Sequence, residues 1–182
     1  KLDGERKIKE NLEQATILRP SVVYSVDDNF TTSFMTMLNL LPFFPLYYNG
    51  KTKFIPIHVS EVSDIILHII EKNISSEIIE CVGLQEYSFK EILQKLLQLI
   101  NKNKILVPLP LMIGKIMARL LEMFPKPLLT LDQLKLLNYN NILSGRYKSN
   151  FDIGLEPKLK FEEEVAKYCY MWKDGGEYSK EI

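Results

Sequence analysis

The sequence predicts an α/β fold with a mostly parallel sheet over residues 1–107, followed by a small helical subdomain over residues 108–182. One observation is that helix and strand patterns alternate regularly up to Val107. The other is the stretch Ala15–Phe30, a β-branched run that breaks at Arg19-Pro20 and leaves through Ser21 into a polar Asp-Asp-Asn turn. This pattern is typical of a buried parallel strand whose carboxyl end lies at a ligand-binding crevice.

The composition is that of a globular protein of one-domain size. The chain has 182 residues, 46% hydrophobic and 25% charged, and 23 basic side chains balance 23 acidic ones. Zero net charge gives no sign of a nucleic-acid partner. The two cysteines, Cys81 and Cys169, have neither metal-ligand nor disulfide spacing, and we expect two buried free thiols.

No segment has the roughly 20 uninterrupted apolar residues of a membrane span. Met35–Tyr48 contains two prolines, and Leu109–Phe124 contains Lys115 and Arg119. We see no signal peptide. The first residue is Lys1 inside a helical pattern, so we expect the chain to be part of a longer protein.

The first part of the chain alternates between helix and strand. Asp28 or Asn29 can cap the second helix, Pro42 ends it, and Asn49-Gly50 is a turn signal. The predicted elements are a helix over Lys1–Leu12, a strand over Ala15–Arg19, a helix over Phe30–Leu41 and a strand over Lys53–Val59.

The alternation continues to Val107. Ser60 is the predicted cap of the next helix, and Ser88 with Glu91 forms a capping box for the one after it. The predicted elements are a helix over Glu61–Lys72, a strand over Glu77–Val82, a helix over Phe89–Ile100 and a strand over Lys104–Val107.

Beyond Val107 the pattern predicts helices only. A helix over Pro110–Phe124 has a narrow polar stripe of Lys115, Arg119 and Glu122 on an otherwise apolar cylinder, which favours burial on most sides. Thr130 and Gln133 form a second capping box. A short helix to Tyr139, a loop over Asn140–Asn150, a turn over Phe151–Pro157 and a helix over Phe161–Trp172 follow.

Few residues suggest chemistry. No glycine-rich phosphate loop and no metal-ligand spacing occurs. His58 ends a strand, where ligand-facing residues are common, although a packed or capping histidine is the favoured interpretation. His68 lies on the polar side of its helix, and the run Glu162–Glu164 is expected to face solvent.

Two stretches resemble the second half of extended and atypical short-chain dehydrogenases/reductases. ILRPSVVYSVDDNF resembles the strand and LRP-x-x-VYGP loop that line the nicotinamide side of the cofactor, and FIPIHVSEVSDII resembles a later strand and helix of that superfamily. The resemblance implies the C-terminal part of a Rossmann-like doubly wound parallel sheet. Lys1 precedes Arg19 by 18 residues, where the lysine of the catalytic Tyr-x-x-x-Lys motif falls.

The resemblance also implies roles for individual residues. Lys1 would be catalytic and would bind the nicotinamide ribose, and Pro20, Ser21 and Val22 would contact the nicotinamide end. Asn29 and His58 are candidates for the substrate pocket. A plain surface lysine and a plain strand-to-helix turn are the competing interpretations. Ser25-Val26 replaces Gly-Pro in the motif, so we expect a differently shaped loop.

Later stretches narrow the resemblance to one branch. LVPLPLMIGKIMARLLEMFPKPLLTLDQLKLL, the asparagine pair at Asn141 and FDIGLEP resemble the branch of NAD-dependent epimerase/dehydratase-like proteins that includes the NADPH-binding accessory subunits of respiratory complex I (NADH:ubiquinone oxidoreductase) and their α-proteobacterial relatives. This implies a structural NADP(H) or NAD(H). It also implies a place in the bacterial cytoplasm or the mitochondrial matrix, peripheral to the inner membrane.

Three hypotheses stay open. The chain is part of a structural complex I accessory or assembly subunit, of an active NAD(P)-dependent oxidoreductase or epimerase acting on a nucleotide-sugar-like substrate, or of a nucleotide-sensing regulator. An upstream Tyr-x-x-x-Lys motif with a glycine-rich loop would allow the second. The Pro110–Phe124 helix either docks on complex I subunits or the membrane surface, or is buried in the helical subdomain.

Overall fold

The computed structural model describes residues 2–123, 129–176 and 178. The helices are α1 (Leu2–Asn11), α2 (Thr31–Leu40), α3 (Val59–Glu71), α4 (Phe89–Leu99), α5 (Leu111–Leu121), α6 (Leu131–Leu136) and α7 (Phe161–Ala166). The strands are β1 (Ile17–Pro20), β2 (Val23–Tyr24), β3 (Phe43–Leu46), β4 (Lys53–Phe54), β5 (Ile57–His58), β6 (Ile78–Cys81), β7 (Tyr87–Ser88), β8 (Ile105–Pro108) and β9 (Lys148–Ser149). Tyr47–Gly50 and Cys169–Trp172 are 3-10 helices.

The main sheet is parallel, with the order β1-β6-β9. Ile17 pairs with Ile78 and Pro20 with Cys81, so both strands end at the same edge. The predicted α/β class with a parallel sheet is confirmed. The prediction of helices alone after Val107 is wrong, because β8 extends to Pro108 and β9 joins the main sheet through Ile79↔Lys148. The division into domains at residue 107 stays a prediction.

Three smaller strand pairs surround this sheet. β2 pairs with β5 and β3 with β8 in parallel, and β4 pairs with β7 antiparallel. The predicted strand Lys53–Val59 is divided at Pro56, since proline cannot donate to a strand ladder. The strand Phe43–Leu46 was not predicted from the sequence, because it contains Pro45.

The largest core cluster joins both parts of the chain. Met35 and Leu38 of α2, Leu93 of α4 and Val165 of α7 are fully buried in it. The expectation that Glu162–Glu164 faces solvent is wrong in part. Glu164 is 9% exposed, and Glu162 pairs with Lys95. The reason is that α7 packs on α4 in this core.

The predicted capping boxes at Ser88 and Thr130 are confirmed, with hydrogen bonds in both directions. The predicted cap of α3 is wrong, since this helix begins at Val59 and is capped by His58 instead of Ser60. The last predicted helix ends at Ala166. Cys81 and Cys169 are buried free thiols, as expected.

Within the described residues, no helix is both long enough and apolar enough to cross a membrane.

Candidate functional site

The candidate site is the edge of the sheet where the parallel strands end. Pro20 ends β1 opposite Cys81 at the end of β6, and the Ser21 amide donates to the Cys81 carbonyl at 2.8 Å. The chain then continues directly into β2 beside β5. Ligands of α/β proteins bind at such carboxyl edges. The predicted Pro20, Ser21 and Val22 therefore lie at the edge where the fold places ligands.

Ser21 joins three segments. Its side chain donates from Oγ to the Asn141 carbonyl at 2.9 Å and accepts from the Ile55 amide at 3.4 Å. The residue is buried, whereas Pro20 before it is exposed. Since the hydroxyl already has a donor and an acceptor partner, its role in this structure is to hold the loop in shape. The exposed face for a ligand begins at Pro20.

Val22 connects this loop to the neighbouring strand. Its carbonyl accepts from the Ile57 amide at 2.9 Å, and its side chain packs against the main core. In the β2–β5 pair, Tyr24 lies opposite His58. Pro20–Val22 thus lead into β2, which pairs with the strand that ends at His58.

His58 caps the following helix. Its Nδ1 accepts from the Ser60 amide at 3.3 Å and lies 2.8 Å from the Ser60 hydroxyl. Because Nδ1 accepts from the Ser60 amide, the ring N–H is assigned to Nε2. The ring packs edge-on against Tyr24, with centroids 5.2 Å apart. The ring is therefore held by packing against Tyr24, and Nδ1 is used in capping. Nε2 is the nitrogen that remains for a ligand.

The Asp-Asp-Asn turn is organised by Asp28. Its carboxylate accepts from the amides of Phe30 and Thr32, both at 3.0 Å, and from the Ser25 amide at 3.1 Å. Ser25 lies outside the left-handed region, so loss of the motif glycine causes no backbone strain there. The Asn29 side chain is exposed, and no contact in the described part of the chain joins it to His58. Phe30 occupies the N-cap position of α2 without a side-chain cap, and it is Asp28, not Asn29, that accepts from the amides at the start of the helix.

Arg19 fixes the first helix on the sheet. Its guanidinium binds the Glu5 carboxylate through Nε and Nη2, the latter at 2.5 Å, and stacks over the Tyr147 ring at 4.5 Å. The pair lowers the pKa of Glu5 and raises the pKa of Arg19, mainly through the side-chain hydrogen bonds. The predicted catalytic Lys1 lies outside the described residues.

A cavity of about 550 Å³ opens between the start of α3 and residues 150–159. Its charged lining residues are Glu61, Asp64, Glu156 and Lys158. The excess of carboxylates disfavours a ligand with phosphate groups. No group of side chains able to hold a metal occurs among the described residues.

The sequence of the chain is similar to those of known mitochondrial proteins. No protein-family profile matches the chain. It is 25% identical to NADH dehydrogenase (ubiquinone) 1 alpha subcomplex subunit 9, mitochondrial, of Arabidopsis thaliana, over 97% of this chain and 46% of that protein. It is 24% identical to the NADH-ubiquinone oxidoreductase 40 kDa subunit, mitochondrial, of Neurospora crassa, over 93% and 44%. The chain thus spans about half the length of these relatives.

Solved structures give the fold. The dTDP-glucose 4,6-dehydratase of Bacillus anthracis in complex with NAD superposes with a TM-score of 0.59 and 16% identity, over 96% of this chain and 48% of that one. RMD of Pseudomonas aeruginosa, complexed with NADPH, superposes with 0.58 and 8%, over 92% and 51%. These superpositions show that the chain has a Rossmann-like fold. The predicted Rossmann-like class is confirmed.

Three residues that shape this edge of the sheet were not identified as functional from the sequence. Asn150 is 1% exposed, and its side chain accepts from the Val82 amide at 2.9 Å. Glu61 accepts from the amides of Lys158 and Leu159. Tyr24 is fully buried, and its hydroxyl has no hydrogen-bond partner among the described residues. Burial, with nearby Glu61 and Glu164, raises the pKa of Tyr24. The only signal was the position of Tyr24 in the VYGP-like motif.

Proposed function

We propose that the chain is part of an accessory or assembly subunit associated with respiratory complex I, and that this subunit holds NADP(H) or NAD(H) as a structural cofactor. The observation that carries the proposal is the similarity to two mitochondrial NADH dehydrogenase subunits over more than nine-tenths of the chain. Such a subunit would lie in the mitochondrial matrix or the bacterial cytoplasm, peripheral to the inner membrane.

The sheet edge fits the nicotinamide end of a nucleotide. At the carboxyl end of β1, Pro20 is exposed and the following Ser21 is buried. Two structures with this fold hold NAD and NADPH. Pro20 and the main chain of Ser21 and Val22 would contact the nicotinamide, and Lys1 the ribose. The phosphate loop is not in this sequence, so the pyrophosphate would be held elsewhere in the full-length protein.

The local hydrogen bonds favour binding of a nucleotide without catalytic turnover. Ser21 is bound on two sides, and Nδ1 of His58 is bound to Ser60. Asn29 and His58 remain the proposed substrate-side residues, with Nε2 of His58 as the group that could act. A nucleotide bound here exchanges hydride with a second substrate only if that substrate also has a site.

An active NAD(P)-dependent oxidoreductase or epimerase on a nucleotide-sugar-like substrate is the alternative. The observation that favours it is the set of solved structures with this fold, which includes the UDP-glucose 4-epimerase of Thermotoga maritima. The carboxylates around the 550 Å³ cavity argue against a diphosphate there. Hydride transfer by the purified full-length protein to any nucleotide sugar would support this alternative.

The test of the main proposal is native electrophoresis of membranes from the protein's own cells. We expect the full-length protein to migrate with complex I activity. Migration only as a free protein would contradict the association and leave the nucleotide site to be tested separately.

We further propose that α5 docks on the membrane surface or on a membrane-proximal partner. Its buried edge is formed by Gly114 and Ala118, whereas Met112 is 76%, Ile116 59% and Leu120 60% exposed. The pattern had favoured burial on most sides, and within the described residues most of this apolar surface has no cover. Exposed apolar patches of this kind mark interaction sites.

Charging this face tests the docking. Met117→Glu should leave the full-length protein folded and weaken its recovery with membranes, because a carboxylate would have to enter an apolar contact. Leu40→Glu is the matched control, since Leu40 is an exposed leucine on another helix, α2. Loss of folding in Met117→Glu alone would instead indicate burial of this face inside the full-length protein.

A further inference from the structure

A second, smaller cavity lies beside the apolar face of α5. It has a volume of about 140 Å³ and opens between α5, α6 and the 3-10 helix Tyr47–Gly50. Its polar lining side chains are Tyr48, Lys115, Lys135, Asn138 and Tyr139. All of them can donate hydrogen bonds, two carry a positive charge, and none is a carboxylate. The cavity therefore has the chemistry of an anion site.

Close packing fixes the walls of this cavity. A Cβ at Gly114 would come within 2.4 Å of the Tyr47 ring, so only glycine lets α5 lie this close to the 3-10 helix. Tyr48 and Asn49 adopt left-handed backbone conformations with φ of 51° and 54°, and Tyr48 lines the cavity together with Leu111 and Lys115 of α5. These contacts hold one wall in place.

The other wall is held by the start of α6. The capping box of Thr130 and Gln133 closes its first turn, and the Glu122 carboxylate accepts from the Leu131 amide at 2.8 Å. Leu134 is buried between the helices. Lys135, one residue later, lines the cavity.

The cations lie along one border of the exposed apolar surface. At 100° per residue, Lys115 and Arg119 fall between the buried edge at Gly114 and Ala118 and the exposed sector of Met112, Ile116 and Leu120. An interfacial amphipathic helix has this arrangement, with basic side chains at the level of the headgroups and apolar ones in the acyl region.

The charge around the cavity is positive, as an anion site requires. Residues 111–139 contain four basic side chains, Lys115, Arg119, Lys126 and Lys135, and two acidic ones, Glu122 and Asp132, although the whole chain has zero net charge. Among the described residues, Lys115 and Arg119 have no ion-pair partner. Lys135 pairs with Asp132 at 3.1 Å, but both side chains are more than 70% exposed, so water weakens this pair.

We propose that this cavity binds the phosphate of an anionic phospholipid whose acyl chains lie along the apolar face of α5. Lys115 and Lys135 would neutralise the phosphate, Tyr48, Asn138 and Tyr139 would donate hydrogen bonds to it, and Met112 and Ile116 would contact the chains. The site deepens the proposed docking of α5 and rests on it. With this site, the protein should prefer anionic over neutral lipids. An apolar face alone would not produce that preference.

The test is flotation of the full-length protein with vesicles of phosphatidylcholine alone and of phosphatidylcholine with phosphatidylglycerol. We expect the protein to bind the anionic vesicles more tightly. The double variant Lys115→Gln/Lys135→Gln should lose about tenfold or more in affinity for them, because each basic residue near an anionic surface contributes a substantial factor. Its binding to neutral vesicles should not change.

The matched control is Lys7→Gln/Lys72→Gln, which removes the same charge from exposed lysines elsewhere. An equal loss in this control would show that only net charge matters and would overturn the site. Vesicle binding that does not depend on anionic lipid would overturn the site but keep the docking of α5. Binding to neither vesicle type, or self-association through α5 in gel filtration, would contradict both.

Competition and circular dichroism separate the remaining explanations. Inorganic phosphate that displaces the protein from anionic vesicles at equal ionic strength would indicate a free-anion site and overturn the lipid assignment. If the lysine double variant loses its helical circular dichroism signal, Met112→Gln takes its place in the test, because Met112 is 76% exposed. We expect this variant to bind both vesicle types more weakly, and unchanged binding would contradict the proposed acyl contact.

Discussion

The Ser21 hydroxyl donates a 2.9 Å hydrogen bond to the main-chain carbonyl of Asn141, a residue 120 positions further along the chain. The bond joins the loop at the end of β1 to the segment that follows α6. The Asn141 amide in turn donates to the Lys53 carbonyl at 2.8 Å. The shape of the proposed nicotinamide loop therefore depends on residues far away in the sequence.

Ser21→Ala should destabilise the full-length protein by about 1–2 kcal/mol, because it removes a buried hydroxyl that bonds on two sides. Chemical denaturation measures this. Ser63→Ala is the control, since Ser63 is an exposed serine whose hydroxyl donates within its own helix, and its cost should stay within about 0.5 kcal/mol. Equal effects of the two substitutions would contradict the role of Ser21.

Asp28→Ala should cost about 1–2 kcal/mol, because the carboxylate satisfies two amides at the start of α2 and closes the turn from Ser25. The neighbouring Asp27 is exposed, and Asp27→Ala should be nearly neutral. Thermal melting of the two variants compares them directly. If Asp27→Ala proved the more damaging, the assignment of the cap would be wrong.

Arg19→Lys should destabilise the protein by about 1–2 kcal/mol, because lysine cannot replace the two-pronged contact with Glu5 and the stacking on Tyr147. A double-mutant cycle with Glu5→Gln should show positive coupling between the two positions. The exposed pair Arg6–Glu10 provides a control with little coupling. Additive effects at Arg19 and Glu5 would exclude the proposed attachment of α1.

Stability should fall at alkaline pH through Cys81. Burial raises the pKa of the Cys81 thiol to about 11, whereas an unfolded thiol ionises at about 8.5. The unfolded chain therefore loses this proton first, and stability decreases as pH rises, by up to about 1.4 kcal/mol per pH unit for this group. The difference between wild type and Cys81→Ala from about pH 8 to 10 isolates the contribution. A pH-independent difference would contradict it.

The 182-residue chain expressed alone should be poorly stable, because β1 has no neighbour on its outer side among the described strands and exposes an edge. We expect a broad thermal transition and a tendency to associate. Circular dichroism with light scattering measures both. A sharp cooperative melt of the monomer would show that this half folds by itself.

Local signals were sufficient for part of this structure. The Ser88 and Thr130 capping boxes each depend on four consecutive residues, and both were predicted. The strand ending at Pro20 follows from its own apolar run. The cap at His58 was missed because serine is the commoner capping residue and Ser60 follows closely.

Other features depend on distant partners. Nothing near Ser21 in the sequence indicates Asn141, and nothing near Val82 indicates Asn150. The strand Phe43–Leu46 forms in spite of Pro45 because Ile105–Pro108 pairs with it. For α5, the apolar pattern is the same whether a core or an outside partner covers it, so only the structure could distinguish the two.

The most direct test of the central claim is the nucleotide content of complex I purified with the full-length protein bound. We expect about one NADP(H) or NAD(H) per copy of the protein, in addition to the cofactors of the complex prepared without it, and no change in its redox state during respiration. A complex that contains the protein but no additional nicotinamide nucleotide would contradict the proposed cofactor role.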